Sequence, residues 1–371
     1  MDQKKTIMHL IDTTGPGGAE TIFTQLADTT NRVGYKTIAV IRGEGWVANE
    51  LRRLNIRVFI IDCKGSFNIK FLVSLIKLIR RENVGLIQSH LLGSNVYASL
   101  AGFLSRVPVV STFHGFVDVS PNEKLRFLKF LLINIGSKKV IAVTTQMKES
   151  LQRISGLSAK KVHVIPNGVD TMIFQKGPAT SIRQELGIPE HALVVGCLGN
   201  IRKAKNYDLA IDVVYVLKQK GILAYLLIAG DDKNPLAEHH RQYAFEKEVS
   251  ALVKWLGFCR DTSAYLNSLN IFLLSSSTEG HPLALTQAMA VGVPVVATRC
   301  GIEEILEHQT NALLADVGDA ETLANHIHRL SEDTSLKEFL INNALAKIEA
   351  DLSINIMCKK YVDFYLHYLK H

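Results

Sequence analysis

Residues 271–297 read IFLLSSSTEGHPLALTQAMAVGVPVVA. The apolar run 271–274 ends in a polar loop, Ser-Ser-Ser-Thr-Glu-Gly-His-Pro. Leu283–Val291 follows with helical composition, and a second apolar run occupies 293–297. Short continuous apolar runs are what strands covered on both faces require. A strand, a helix and a second strand in so short a span make a βαβ unit, so the strands run parallel. Pro282 suits the first helical position, where no backbone donor is needed. The N–H groups of the loop and first helical turn lack partners inside the helix, and they form an anion site.

The same alternation extends outward. Apolar runs stand at 194–198 and 225–229, and earlier at 6–12, 37–41, 58–61, 86–89, 109–112 and 140–143. Helix-sized segments such as 19–33, 69–81 and 95–105 lie between them. The fold class is therefore α/β, with two Rossmann-like, doubly wound domains. Segment 165–189 breaks the rhythm with Pro166, Gly168, Gly177, Pro178, Gly187 and Pro189, which is linker composition. The expected division is an N-terminal domain at 1–170 and a second at 171–350. A terminal helix within 351–371 is expected to pack back towards the first. Ligands of such sheets bind at the carboxyl ends of the strands, so function should sit in the following loops, in a central cleft that both domains face.

The bulk numbers agree. A chain of 371 residues, 47% hydrophobic and 21% charged, suits two packed domains. No apolar stretch is long enough to span a membrane, and the start lacks the apolar core of a signal peptide. The five cysteines (Cys63, Cys197, Cys259, Cys300, Cys358) have no metal-ligand spacing, and an odd number argues against a disulfide framework. A reducing, cytoplasmic compartment is expected. Residues 1–170 carry 23 Lys+Arg against 12 Asp+Glu, and the remainder 19 against 23. A basic first half fits an anionic partner, and it fits solvated surface lysines equally well.

Three loops carry chemistry. The first strand ends in Asp12-Thr-Thr-Gly15-Pro-Gly17-Gly18-Ala-Glu20 before a helix. Glycines there let backbone N–H groups approach a phosphate, although a tight structural turn reads the same. Neither a dinucleotide fingerprint nor a P-loop is present. The first strand of the second domain ends in Gly199-Asn200-Ile-Arg202-Lys203-Ala-Lys205-Asn206. Cations at that place can neutralise a diphosphate as it leaves a sugar, or form a solvated basic loop. Glu279 stands just before the anion site of the opening βαβ unit. A carboxylate there can bind sugar hydroxyls, stabilise positive charge on the sugar, or cap the helix.

Taken in order, the loops make the chain similar to the retaining glycosyltransferases of family 4, which have the GT-B fold. The resemblance covers about residues 6–329. It rests on GPGGAE (15–20), VVSTFHG (109–115), VIPNGVD (164–170), GNIRKAKN (199–206), LLIAGDD (226–232), LGFCRD (256–261) and EGHPLALTQAMAVGVPVVA (279–297). The resemblance implies a hexosyltransferase that uses a nucleotide-diphosphate sugar, a UDP-sugar being expected. Gly17 and Gly18 would border the diphosphate, and His114 would lie near the transferred sugar. Arg202 and Lys205 would hold the leaving diphosphate. Glu279 would contact the sugar, with Gly280, His281, Pro282 and Leu283 supplying backbone contacts, and Phe258 and Arg260 would flank the base.

Two positions depart from the family pattern. Asn200 stands where an arginine is frequent, and Arg202 is expected to supply that charge. Gln287 stands where a second glutamate binds the ribose. Glutamine still accepts a hydrogen bond, so altered nucleotide binding is expected. No Asp-x-Asp stands where it would hold a donor metal, so no metal or cofactor is expected.

The resemblance further implies a glycan or lipid-linked acceptor and a role in bacterial surface polysaccharide or lipopolysaccharide assembly at the inner membrane face. Basic and apolar residues interleave over 124–139, a candidate peripheral contact with an anionic membrane, or a buried helix with lysines reaching water. His90 reads equally as a structural histidine or an acceptor contact. His239, His240, His326 and His328 do not combine with acids into a metal set and read as surface residues. A non-catalytic sugar-nucleotide binder and a sugar-nucleotide epimerase or hydrolase stay open. No nucleic-acid recognition motif is present.

Overall fold

The computed structural model describes residues 5–63, 68–154, 156–178 and 181–369. The chain divides into two compact units, one of residues 1–167 with 355–371 and one of residues 168–354.

The first unit holds one parallel sheet. Its strands are β1 (Thr6–Leu10), β2 (Lys36–Ile41), β3 (Arg57–Ile60), β4 (Val84–His90), β5 (Val109–Phe113), β6 (Ser137–Ala142) and β7 (Val162–Val164), in the order β3-β2-β1-β4-β5-β6-β7. The second unit repeats the plan with β8 (Leu193–Leu198), β9 (Ala224–Ala229), β10 (Val253–Gly257), β11 (Ile271–Leu274), β12 (Val295–Thr298) and β13 (Leu313–Ala315). Their order is β10-β9-β8-β11-β12-β13, again parallel. Every residue of β1, β5, β11 and β12 is buried, which is why these strands are mostly apolar, with only Thr6, His9, Ser111, Thr112 and Thr298 as buried polar members.

The strands that the apolar runs did not disclose are β7, β10 and β13. All three are edge strands. β7 and β13 are only three residues long. β10, VKWLG, is only partly buried and mixes lysine with apolar residues, since an edge need not be covered on both sides.

Two local readings change. The helix Leu283–Val291 starts where expected, but Pro282 is its N-cap, with extended backbone at φ −70° and ψ 113°, rather than its first helical residue. Segment 124–139 is not one amphipathic helix. The helix is Arg126–Gly136, and β6 follows directly from Ser137.

The chain leaves the first unit after Asn167 and returns after Ile354, a few residues from the composition breaks. Both crossings are tied inside the second unit: Val169 N–H donates to Leu352 O at 2.8 Å, and Ile354 N–H to Val169 O at 2.8 Å. The terminal helix Ile354–Leu369 then completes the core of the first unit. Its Tyr361 and Tyr365 are fully buried. Tyr365 OH donates to Gln88 Oε1 on β4 at 2.9 Å, and Tyr361 OH lies 3.1 Å from Thr112 Oγ1 on β5. Among the described residues no helix is long and apolar enough to cross a membrane.

Candidate active site

The strand order of the second sheet reverses between β8 and β11, its adjacent central strands. The loops leaving their carboxyl ends flank this switch point, the usual ligand position in such sheets. The chain turns at Gly199 with φ +151°, a conformation that L side chains rarely adopt. A Cβ there would lie 2.8 Å from Lys205 Cε. Glycine therefore lets the Lys205 side chain fold back across the end of β8.

That fold-back brings Lys205 to Glu279. Lys205 Nζ lies 2.8 Å from Glu279 Oε1. Ser276 Oγ donates to the same oxygen at 2.7 Å, and Glu279 N–H donates to Cys300 O at 2.7 Å. The two loops are also stitched along their backbones: Ser275 Oγ donates to Lys205 O at 2.9 Å, and Ser277 N–H to Ala204 O at 2.8 Å. Arg202 is exposed and makes no ion pair among the described residues. The site thus offers one paired cation, Lys205, and two without an ion pair among the described residues, Arg202 and Lys203, beside the start of the helix Leu283–Val291, an arrangement that can hold a polyanion.

The other second-unit candidates surround these two loops. Asn200 accepts a hydrogen bond from Asp231 N–H at 3.3 Å, so its side chain holds the loop after β9. Phe258 and Arg260 are exposed just beyond β10, on a chain that turns at Gly257 with φ +63°. Gly280 is half-buried, and His281, Pro282 and Leu283 are buried. Burial pushes the His281 imidazole down to about 4, so it is neutral at pH 7. Gln287 is half-buried on the helix Leu283–Val291.

Gly17, Gly18 and His114 belong to the first unit. Gly17 is the extended N-cap of the helix Gly18–Arg32. A Cβ on it would lie 2.3 Å from Glu20 Oε2, so the Glu20 carboxylate rests against this helix start and an arriving phosphate would displace it. His114 stacks on His90, with ring centroids 5.1 Å apart, and its Nε2 lies 2.8 Å from His90 Nδ1. Tyr365 OH occupies Gln88 Oε1, and the Gln88 amide nitrogen has Thr112 Oγ1 at 2.9 Å, Ser89 O at 3.2 Å and His90 Nε2 at 3.3 Å in reach. Burial, then the adjacent His114, hold His90 well below its usual range.

Sequence reasoning missed several partners. Ser276 was visible only as part of a serine run. Asp118 accepts from Leu92 N–H at 3.3 Å and His114 N–H at 3.4 Å, and burial pushes its carboxyl up to about 6. His239 is at the surface as expected, but His240 is buried, and both combine with an acid: Asp208 accepts from His239 Nε2 at 2.9 Å and from His240 Nδ1 at 2.7 Å. Burial alone would raise the Asp208 carboxyl, but these hydrogen bonds hold it below its usual value. The donor atoms lie within 4.8 Å of one another, so the trio could hold a metal, although the carboxylate is already satisfied by the two rings.

Residues 16–172 match the family model described as Glycosyltransferase Family 4, and residues 192–333 match the model described as Glycosyl transferases group 1. The chain belongs to this glycosyltransferase family. It is 25% identical over 308 residues to an Escherichia coli UDP-Gal:alpha-D-GlcNAc-diphosphoundecaprenol alpha-1,3-galactosyltransferase, covering 81% of this chain and 79% of the relative. It is 31% identical over 218 residues to the amylovoran biosynthesis glycosyltransferase AmsK of Erwinia amylovora, covering 56% and 51%. The structure superposes on that of Anabaena HepE with a TM-score of 0.88 at 22% identity, covering 98% of this chain and all of the other. This likeness establishes the GT-B fold. In this glycosyltransferase the carboxyl ends of β8 and β11 bring the motif at 199–206 against the one that begins at Glu279.

Proposed function

We propose that this glycosyltransferase takes a sugar from a nucleotide diphosphate, UDP-sugars first among them, and passes it with retained anomeric configuration to a glycan or lipid-linked acceptor. The pathway is bacterial surface polysaccharide or lipopolysaccharide assembly at the cytoplasmic face of the inner membrane. The names of its relatives support this reading. One acts on a diphosphoundecaprenol-linked sugar and another serves amylovoran synthesis. Anabaena HepE is described with UDP and glucose and with UDP-glucose.

The observation that carries the reading is the contact between Lys205 and Glu279 at the carboxyl ends of β8 and β11. One group suits a leaving diphosphate, and the other suits the hydroxyls and developing positive charge of the sugar. In the proposed step the bond from the anomeric carbon to the β-phosphate oxygen breaks, and its electron pair leaves with the phosphate. The acceptor oxygen bonds to the carbon on the same face, and its proton passes to the departing phosphate oxygen. Lys205, Arg202 and the first-turn N–H groups of the helix Leu283–Val291 stabilise that oxygen, the part a metal ion plays elsewhere. Gln287 holds the ribose, and Phe258 and Arg260 border the base.

The test is a panel of nucleotide sugars read by thermal shift and nucleotide release, followed by assignment of the product anomer. One sugar nucleotide should raise the melting temperature and slowly release its nucleotide. A folded protein that binds none of the panel would overturn the reading.

A further inference from the structure

The first unit has its own switch point, between β1 and β4. On the β1, β2 and β3 side of that point lies a cavity of about 360 Å³, within the range of about 300–1,000 Å³ typical of small-molecule sites. Its walls are mostly apolar, with Ile41, Ile61, Phe71, Val96, Leu100 and Leu132 among them. A sugar presents hydroxyls in most directions, and these walls leave most of them unpaired. An aliphatic chain is satisfied by the same walls.

Cys63, Ser94 and Tyr97 add polar atoms to the lining, and its charges are Asp12, Arg42, Lys124 and Lys129. Asp12 closes one side, close against the start of the helix Leu92–Ser105; a Cβ on Gly93 would lie 2.1 Å from Asp12 Oδ2. Arg42 and Lys124, both exposed, line the cavity with Leu125, which is 57% exposed, so the cavity opens there. Lys129 also lines it but is paired with Glu123, and Arg42 faces Asp12. Lys124 makes no ion pair among the described residues. The helix that follows adds an exposed apolar residue one turn on, Leu128, 38% exposed. A greasy interior, a cationic opening and an apolar shoulder together describe an amphiphile with an anionic head.

We propose that this cavity receives the apolar chain of a lipid-linked phosphate, with the phosphate held at Lys124 and Arg42, and that the acceptor of this transferase is therefore a lipid-linked sugar rather than a free glycan. This deepens the function proposed above and rests on it for the word acceptor. The binding itself does not need the donor.

The experiment titrates the full chain with geranylgeranyl phosphate below its aggregation concentration, alongside geranylgeraniol and inorganic phosphate. The expected result is saturable binding of one geranylgeranyl phosphate per chain, weakened about tenfold for geranylgeraniol, with none for inorganic phosphate. Leu100→Trp, which fills the cavity, should weaken binding at least about tenfold, and Lys124→Glu about fivefold. Leu132→Phe is a milder filling variant should Leu100→Trp fail to fold. Absence of saturable binding, or equal affinity in wild type and the filled variants, overturns the proposal. UDP-sugar binding is read on the same samples. Failure of the lipid arm with intact donor binding leaves a transferase with a free-glycan acceptor, whereas failure of donor binding alone removes the donor assignment and leaves the lipid site standing.

Discussion

Lys205 Nζ and Glu279 Oε1 lie 2.8 Å apart, with side chains 18% and 14% exposed. A pair this shielded is held in place before any ligand arrives, and Ser276 keeps the carboxylate oriented. A diphosphate entering the site meets a lysine whose position is already determined, and preorganisation of that kind is where electrostatic catalysis gains most.

Lys205→Ala should lower transfer by about 10²–10³-fold, while the melting temperature moves little. Lys205→Arg should recover part of the loss. Steady-state rates with circular dichroism as a folding control decide it, and near-wild-type turnover in Lys205→Ala would refute the assigned role.

Gly199→Ala places a Cβ 2.8 Å from Lys205 Cε in a backbone conformation at φ +151°. Both the turn and the lysine must shift. The expected outcome is a loss of about 1–3 kcal/mol in unfolding free energy together with reduced turnover. Unchanged denaturant midpoint and rate would show that the loop relaxes freely.

Gln287→Glu replaces a neutral hydrogen-bond acceptor by a charged one. Bonds to charged groups are stronger by about 1 kcal/mol, so nucleotide affinity should improve about fivefold, measured by calorimetry with UDP. Weaker or unchanged binding would mean that Gln287 does not face the ribose.

Stability should fall in mild acid. Burial lowers His9 to about 3 and His281 to about 4, and it holds His90 well below its usual value. Below about pH 6.5 the unfolded chain takes up these protons and the native protein does not, so each histidine removes up to about 1.4 kcal/mol per pH unit. Their contribution is complete above pH 6.5 and is lost as the pH falls towards 4. Asp118 and Asp12 act oppositely, since burial raises both carboxyls, Asp118 to about 6, and the native state holds their protons as the pH falls. The three buried rings outweigh the two carboxyls, so urea midpoints at pH 5 should lie below those at pH 7.5. A flat profile would contradict the burial of the three rings.

Tyr365→Phe removes the donor to Gln88 Oε1 inside a fully buried network. An unpaired buried acceptor costs about 1–3 kcal/mol. Gln88 is then able to rotate, and its contact with His90 Nε2 at 3.3 Å changes. Thermal unfolding should show the cost, and an NMR titration of His114 should shift. A destabilised variant with an unaltered His114 would confine Tyr365 to packing.

The sequence by itself determined the parallel α/β units, the helix Leu283–Val291 and, through the ordered loop motifs, the family. Strand periodicity and glycine-bearing turns are local properties, written within a few residues, so reading 271–297 alone was enough to begin. Tertiary structure decided the edge strands β7, β10 and β13: β7 and β10 are partly exposed, which removes the apolar signature, and β7 and β13 are only three residues long. It also decided which side chains meet. Lys205 and Glu279 are 74 residues apart, Gln88 and Tyr365 are 277 apart, and Asp208 reaches His240 across 32. Such contacts arise only when sheets bring strand ends together and the terminal helix returns to its unit. Their energies depend on burial and geometry that no local pattern encodes.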